Sequence, residues 1–377
     1  MTTALPQGHY LGRVWRAGIG PAVVTLRDGD VFDITSKTAP TTRDVLELPD
    51  PVGHVATAPG ENLGALATLI QTEATPDSTH LIAPADLQAI KACGVTFARS
   101  MIERVIEERA GGNPARAAEI RARVAGVIGD SLRDLVPGSA KAAEVKALLQ
   151  TEGLWSQYLE VGIGPDAEVF TKAQPLSAVG TGAAVGLHPI SKWNNPEPEV
   201  VLAVNSRGTI LGATLGNDVN LRDVEGRSAL LLGKAKDNNA AAALGPFIRL
   251  FDAGFTLDSV RNLDLSLTVT GTDGFTLQGR SSMAEISRDP ADLVRQTLGR
   301  HHQYPDGLML YCGTMFSPVQ DRDGPGQGFT HHLGDVVSIA TPALGTLTNT
   351  VRLSTEAPEW HFGTAALMRN LAGRGLL

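Results

Sequence analysis

The chain has 377 residues, 42% of them hydrophobic and 19% charged, and a net charge of −8 from 32 basic and 40 acidic side chains. This length allows two domains, or one large domain with a satellite, around a sizeable core, and the acidic balance argues against a nucleic-acid partner. No apolar run reaches the roughly 20 residues needed to span a bilayer, and the opening MTTALPQGHYLGRVW lacks the basic and apolar regions of a secretory signal. The expectation is a cytoplasmic protein with neither membrane nor nucleic acid as partner. The two cysteines, Cys93 and Cys312, cannot form a four-cysteine zinc site and are expected as buried, unpaired thiols.

The 41 glycines, 22 prolines and 5% aromatic content point to many turns and short strands. In chain order, HYLGRVWR, AVVTLRD and DVFDI read as strands, with Asp28-Gly29 as the hairpin turn between the last two. A short helix around Val45 and another over 63–72 follow, separated by proline-rich connections. Residues 1–85 are therefore expected to form a small N-terminal α+β domain and residues 86–377 the main one. Within the latter, SMIERVIEERA, PARAAEIRARVAGVI and AKAAEVKALLQ are rich in helix formers, which predicts a helical insertion over about 100–153. Beyond Glu168 the pattern returns to strands (EVVLAV, TILGATL, LDLSLTVTG, FTLQG, LMLYC, DVVSIA), interrupted by a helix over about 290–301. Many short strands at this spacing indicate a sandwich, roll or barrel, not a doubly wound sheet.

Several motifs fail on inspection. GRSALLLGK has six residues between its glycine and Gly-Lys, where a phosphate loop needs four, and Ala235 stands where a hydroxyl should bind Mg²⁺. GTGAAVG misses the dinucleotide fingerprint, and no Gly-x-Ser-x-Gly elbow is present. The adjacent pairs His301-His302 and His331-His332 lack the spacing that presents two rings to one metal. His331 and His332, in a glycine-rich stretch, are the pair more suited to a role.

One segment concentrates acids: NNPEPEVVLAVNSRGTILGATLGNDVNLRD. Glu197 and Glu199 project from one face of a strand. A two-residue turn at Arg207-Gly208 would carry the register down to Glu197 opposite Asp218, with Cβ atoms about 5 Å apart. Pro198 removes a backbone donor, so this strand end is expected at an edge or bulge. Three oxygen ligands without histidine or thiolate suit Mg²⁺, Mn²⁺ or Ca²⁺; spacing alone leaves a solvated, metal-free hairpin equally open.

Glu-x-Glu, a hairpin and Gly-Asn-Asp-Val-x-x-Arg-Asp together resemble the metal-binding signature of the fumarylacetoacetate hydrolase superfamily. The resemblance continues through Lys236 before ALGPF, and through Leu333–Val337 and Leu344–Val351. It implies an α+β, mainly β fold: a β-roll catalytic domain with a smaller N-terminal domain. GVTFARS and Glu168-Val-Phe-Thr-Lys172 further resemble the 2-keto-3-deoxy-pentonate dehydratase branch. That likeness implies Glu197, Glu199 and Asp218 as ligands of Mg²⁺, with Mn²⁺ as a substitute, and Glu168 and Lys236 as the acid/base pair. It also implies a small 2-keto sugar acid as substrate, contacted by Arg99, Ser100, Lys172, Asn217 and Thr314, and a homodimer or homotetramer. For Lys236 to act as a base its pKa is expected to fall toward neutrality. Lys234 is its rival two residues upstream, and Arg222 with Asp223 are expected as a structural ion pair behind the site.

Two departures stand out. The hydrolase branch carries an early histidine that activates water for C–C cleavage, whereas here no histidine lies between His80 and His188. Cys312-Gly-Thr replaces the more usual Thr-Gly-Thr. The competing expectations are a C–C hydrolase of an acylpyruvate or fumarylpyruvate type of diketo acid, and a non-catalytic sugar-acid or metal-binding protein.

Overall fold

The computed structural model describes residues 5–117, 119–120, 135–151, 153, 155–316 and 318–377; the side chains of Ala98, Arg99, Ser100 and Ile102 also fall outside that description. Strands β1 (Tyr10–Arg16), β2 (Gly20–Arg27) and β3 (Asp30–Asp33) form an antiparallel meander. Asp28 and Gly29 both take positive φ, 50° and 87°, and Arg27 pairs with Asp30. This is the two-residue turn that the Asp-Gly pair dictates. Two short helices follow, Thr42–Glu47 and Pro51–Thr57. Each is started by a side chain, Thr41 or Asp50, that accepts from an orphan amide of the first turn. The helix expected over 63–72 is confined to Leu66–Gln71, because Glu61–Ala65 is strand β4 on β3.

Strand β5 (His80–Ile82) pairs with β1, and β6 (Ala89–Gly94) precedes the helices Ala98–Ala110, Ala140–Thr151 and Gln157–Ile163. The first and second of these carry the sequences predicted as the helical insertion; PARAAEIRARVAGVI lies largely outside the described residues. Then come β7 (Glu168–Ala173), β8 (Ala184–Leu187), β9 (Pro198–Val204), β10 (Ile210–Asp218), β11 (Ala242–Leu250), β12 (Asp264–Thr270) and β13 (Thr276–Ser282). After the helix Pro290–Thr297 follow β14 (Leu308–Tyr311), β15 (Val336–Thr341) and β16 (Gly345–Leu353). That helix stops before the predicted 301, where Leu298 turns extended.

Among the described residues eleven strands form one sheet, ordered β4-β3-β2-β1-β11-β10-β9-β14-β6-β7 with β5 on β1; five form a second, ordered β13-β12-β15-β16-β8. The N-terminal strands thus continue the large sheet through β1 on β11. Strand β11 was not anticipated, because Pro246 interrupts AAAALGPFIRL. Pro246 falls where the β10–β11 register breaks, between the pairs Leu215–Gly245 and Ala213–Arg249, so the ladder loses no hydrogen bond to it.

The period of two decides where the site lies. On β9, Val200, Leu202 and Val204 enter the core between the sheets, together with Leu267, Ile339 and Leu347. Val201 and Ala203 point the other way, to a core shared with Ile90 and Tyr311. On β10, Ala213 and Leu215 belong to the inter-sheet core. Glu199 and Asp218 therefore share the face away from that core.

Candidate metal and acid/base site

The hairpin that builds the site keeps the expected register by an unexpected route. Asn217 pairs with Pro198 and Gly216 with Glu199, and the Asp218 amide donates to the Glu197 carbonyl at 3.0 Å. The turn is not the two-residue one, however. Gly208 N–H donates to Asn205 at 3.0 Å and Asn205 N–H to Thr209 at 3.1 Å, with Gly208 at φ 79°. That is a three-residue loop, and it displaces the pairing by one residue, with Ile210 opposite Val204; an irregularity between Ile210 and Gly212 restores the register. Nor is Pro198 on an edge. It is the first residue of an interior strand, beyond the last pair that β14 makes with β9, where a missing donor is tolerated.

Glu197, Glu199 and Asp218 are each 2% exposed or less, and one carboxylate oxygen from each lies within 4.8 Å of the others. Three buried anions at that range need cations. Lys236, at the end of the short helix Leu232–Lys236, donates to Glu197 Oε2 at 2.5 Å and to Asp218 Oδ2 at 3.0 Å. Lys172 pairs with Asp218 Oδ1 at 2.7 Å. Glu199 accepts from the Gly313 amide at 2.7 Å and makes no ion pair among the described residues. Burial, then the charges of Asp218 and Glu197, push its pKa well above the usual range. Burial likewise raises Glu197, whereas for Asp218 the same penalty is outweighed by Lys172 and Lys236, which hold it low. One uncompensated carboxylate beside two others, all oxygen donors, fits a hard divalent cation.

Strand β7 supplies the second row. Its alternate residues Glu168, Phe170 and Lys172 reach the same site: the Lys236 ammonium lies 5.8 Å from the Phe170 ring centroid. Glu168 packs so closely on Gly94 that a Cβ there would sit 1.8 Å from its Oε2. Burial, then Glu225, raise its pKa to about 7 against the pull of Arg104 and Lys236. Burial alone would lower the pKa of Lys236, but Asp218 and Glu197 raise it instead, opposite to the fall that a base would need.

The remaining expected contacts divide. Lys172 spends its ammonium on Asp218, on the Val219 carbonyl at 3.1 Å and on the Lys236 carbonyl at 2.5 Å. Asn217 lies on the opposite strand face from Asp218, where its Oδ1 accepts from the Glu197 amide at 3.2 Å. Thr314 is buried next to Gly313 and donates to the Phe316 carbonyl at 3.2 Å. Arg99 and Ser100 begin the helix Ala98–Ala110, and their side chains are outside the described residues. Lys234 is far from this chemistry: it is exposed beside His188, at 2.9 Å.

Arg222 and Asp223 do not pair with each other. Arg222 binds Glu107 at 2.7 Å, and Asp223 accepts from Ser191 Oγ at 2.7 Å and the Lys192 amide at 2.8 Å. Of the histidines, His331 is buried with Nδ1 3.0 Å from Asp335, while His332 faces outward between Asp273 and Asp323. Sequence reasoning missed Arg104, which reaches Glu197 Oε1 from the helix Ala98–Ala110, and Glu225, which it also binds at 2.8 Å. Glutamate and arginine in SMIERVIEERA read as a solvated face, and no spacing rule tells a buried arginine from an exposed one. A cavity of about 1180 Å³ lies elsewhere, lined by residues such as His9, Arg27, Val55 and Asp252.

The two-sheet architecture agrees with comparison to known proteins. A family model described as "Fumarylacetoacetate (FAA) hydrolase C-terminal" matches residues 163–352, half of the chain, and the protein belongs to that family. It is 31% identical over 194 residues to the "Probable 2-keto-3-deoxyxylonate dehydratase" of Haloferax volcanii, a match covering 52% of this chain and 63% of that one. It is 31% identical over 188 residues to the "2-dehydro-3-deoxy-D-arabinonate dehydratase" of Saccharolobus solfataricus, covering 49% and 58%. The matches thus span about three-fifths of each relative's length. A solved structure described as "2-keto-3-deoxy-D-arabinonate dehydratase complexed with magnesium and 2,5-dioxopentanoate" superposes with a TM-score of 0.64 over 91% of this chain and 99% of the other. At 21% identity that likeness is one of fold. Among the described residues no helix is long and apolar enough to cross a membrane.

Proposed function

We propose that the protein is a Mg²⁺-dependent hydro-lyase that converts a 2-keto-3-deoxy-pentonate to 2,5-dioxopentanoate and water. The observation that carries this reading is the buried Glu197–Glu199–Asp218 cluster with Lys236 and Glu168 beside it. Glu197, Glu199 and Asp218 would hold the cation, and Mn²⁺ would substitute. Once bound, a divalent cation polarises the substrate's C2 carbonyl and makes the C3 hydrogens more acidic.

Glu168, poised near neutrality, takes the C3 proton. Lys236, kept charged by its carboxylates, delivers a proton to the departing C4 hydroxyl, so that one water leaves. Moving the C3=C4 double bond toward C5, with a proton lost at C5 and one gained at C3, gives an enol that tautomerises to the aldehyde. Lys172 and Asn217, whose polar groups are engaged by Asp218 and the Glu197 amide, position the cluster in this reading. Arg99, Ser100 and Thr314 are the substrate contacts. The absence of a histidine between 80 and 188 weighs against water activation for C–C cleavage. In the test, protein, Mg²⁺ and 2-keto-3-deoxy-xylonate yield an aldehyde that a semialdehyde dehydrogenase oxidises, and EDTA abolishes it. Full activity in EDTA overturns the metal role.

A further inference from the structure

Glu197 is held from two sides by different cations. Its Oε2 faces Lys236 at 2.5 Å, in the direction of Asp218. Its Oε1 is taken by the Arg104 guanidinium. Arg104 is itself fixed: the same guanidinium donates to Glu107 at 2.6 Å and lies 2.8 Å from Glu225. Glu107 is in turn bound by Arg222 at 2.7 Å, which stacks 4.5 Å from the Trp193 ring centroid. All four charged partners of this chain are buried. The helix that carries Arg104 cannot slide away either. Its Gly111–Gly112 end is pressed onto residues 222–226, where a Cβ on Gly112 would lie 2.6 Å from the Asp223 carbonyl. Met101, Val105 and Ile106 seat the helix against Tyr158 and Leu159.

We infer that Arg104 is a positioning residue that restricts Glu197 to one-oxygen coordination and thereby makes the site select Mg²⁺ over Ca²⁺. A carboxylate whose second oxygen accepts from one arm of a guanidinium, whose other arm is fixed by Glu107 and Glu225, cannot rotate to chelate with both oxygens. Ca²⁺ takes six to eight oxygens and accepts two-oxygen carboxylates readily, whereas Mg²⁺ demands octahedral geometry and gains little from them. Freeing Glu197 Oε1 therefore helps the larger ion more than the smaller. This inference rests on the proposed metal reading and extends it to the choice of ion. Groups bound behind a metal ligand typically alter affinity by 10- to 100-fold.

The test titrates wild type, R104K and R104M with MgCl₂ alone and with CaCl₂ alone by calorimetry, without substrate. The expected result is a wild-type preference for Mg²⁺ that shifts toward Ca²⁺ by about tenfold in both variants. Lysine keeps the charge but not the fork, so an R104K ratio equal to wild type overturns the inference, as does a parallel change for both ions in either variant. Difference infrared spectra of the wild type with and without Mg²⁺ test it independently of whether a variant folds. A widely separated pair of carboxylate bands supports one-oxygen coordination, and a narrow two-oxygen pattern for all three carboxylates overturns it. A wild type that binds neither ion sinks the metal reading and this inference together. Arg104-dependent selectivity without aldehyde formation keeps this inference and removes the dehydratase reading.

Discussion

Two lysines two residues apart, Lys234 and Lys236, meet different fates because about half a helical turn separates them, carrying one outward and the other to the carboxylates of Glu197 and Asp218. Replacing Lys236 by Met is expected to lower kcat by roughly 10²- to 10⁴-fold, the usual contribution of a positioned acid, while Lys234→Met stays within a few-fold; turnover of both variants checks this. In the proposed reaction Glu168 would set the pH profile. Burial and Glu225 push its pKa up to about 7, and it accepts a proton only when ionised, so kcat is expected to fall about tenfold per pH unit below that value. Stability runs the other way. A carboxyl whose pKa is raised on folding stabilises the native state below its unfolded pKa, and that contribution is lost as pH rises through 7. Neutral E168Q should therefore unfold at a higher temperature than wild type at pH 8 and at nearly the same temperature at pH 4, in metal-free buffer. Equal melting temperatures across that range would contradict the raised pKa. Much of this residue-level site was legible in the sequence: the acids that converge were named from an i, i+2 spacing and a hairpin register. Arg104 and Glu225 were not, because helix composition says nothing of which charged residues are buried.

At the scale of elements, the strands were read as short runs bounded by turn residues, and alternation along them explains the site. Glu168, Phe170 and Lys172 line one face of β7 for the reason that Glu199 of β9 and Glu197, one residue before that strand, project the same way. The hairpin register was right although the turn was not, since the longer loop and the irregularity near Leu211 cancel. Strand β11 was hidden by Pro246, and the short helices over 222–236 by their length of five residues or fewer, too short for a period to emerge. Element packing makes a prediction of its own. Gly94, at the end of β6, leaves room for the Glu168 carboxylate, and a Cβ there would come within 1.8 Å of it. G94A should displace Glu168 and cut kcat at least tenfold while leaving Mg²⁺ affinity, measured by calorimetry, within a few-fold. Wild-type turnover would show that Glu168 is not held as described.

On the whole molecule, an apolar core lies between the two sheets, and the carboxylate cluster lies on the other face of the larger sheet, whose end strand is β7. The sequence conveyed that β-rich architecture through its many short strands, but not the continuity of the N-terminal strands with the large sheet, which depends on β1 meeting a strand more than 200 positions away in sequence. We expect self-association as a dimer or a pair of dimers, with light scattering at micromolar concentration giving a multiple of 39.6 kDa; a monomer alone would contradict it. The proposed dehydration leaves the five-carbon chain intact. Uniformly ¹³C-labelled 2-keto-3-deoxy-xylonate, incubated with the protein and Mg²⁺ and followed by ¹³C NMR, should give one five-carbon product with C1 to C5 still coupled in series and an aldehyde at C5. Fragments in which the C3–C4 coupling is lost, or labelled substrate left unchanged, would rule out the proposed dehydration.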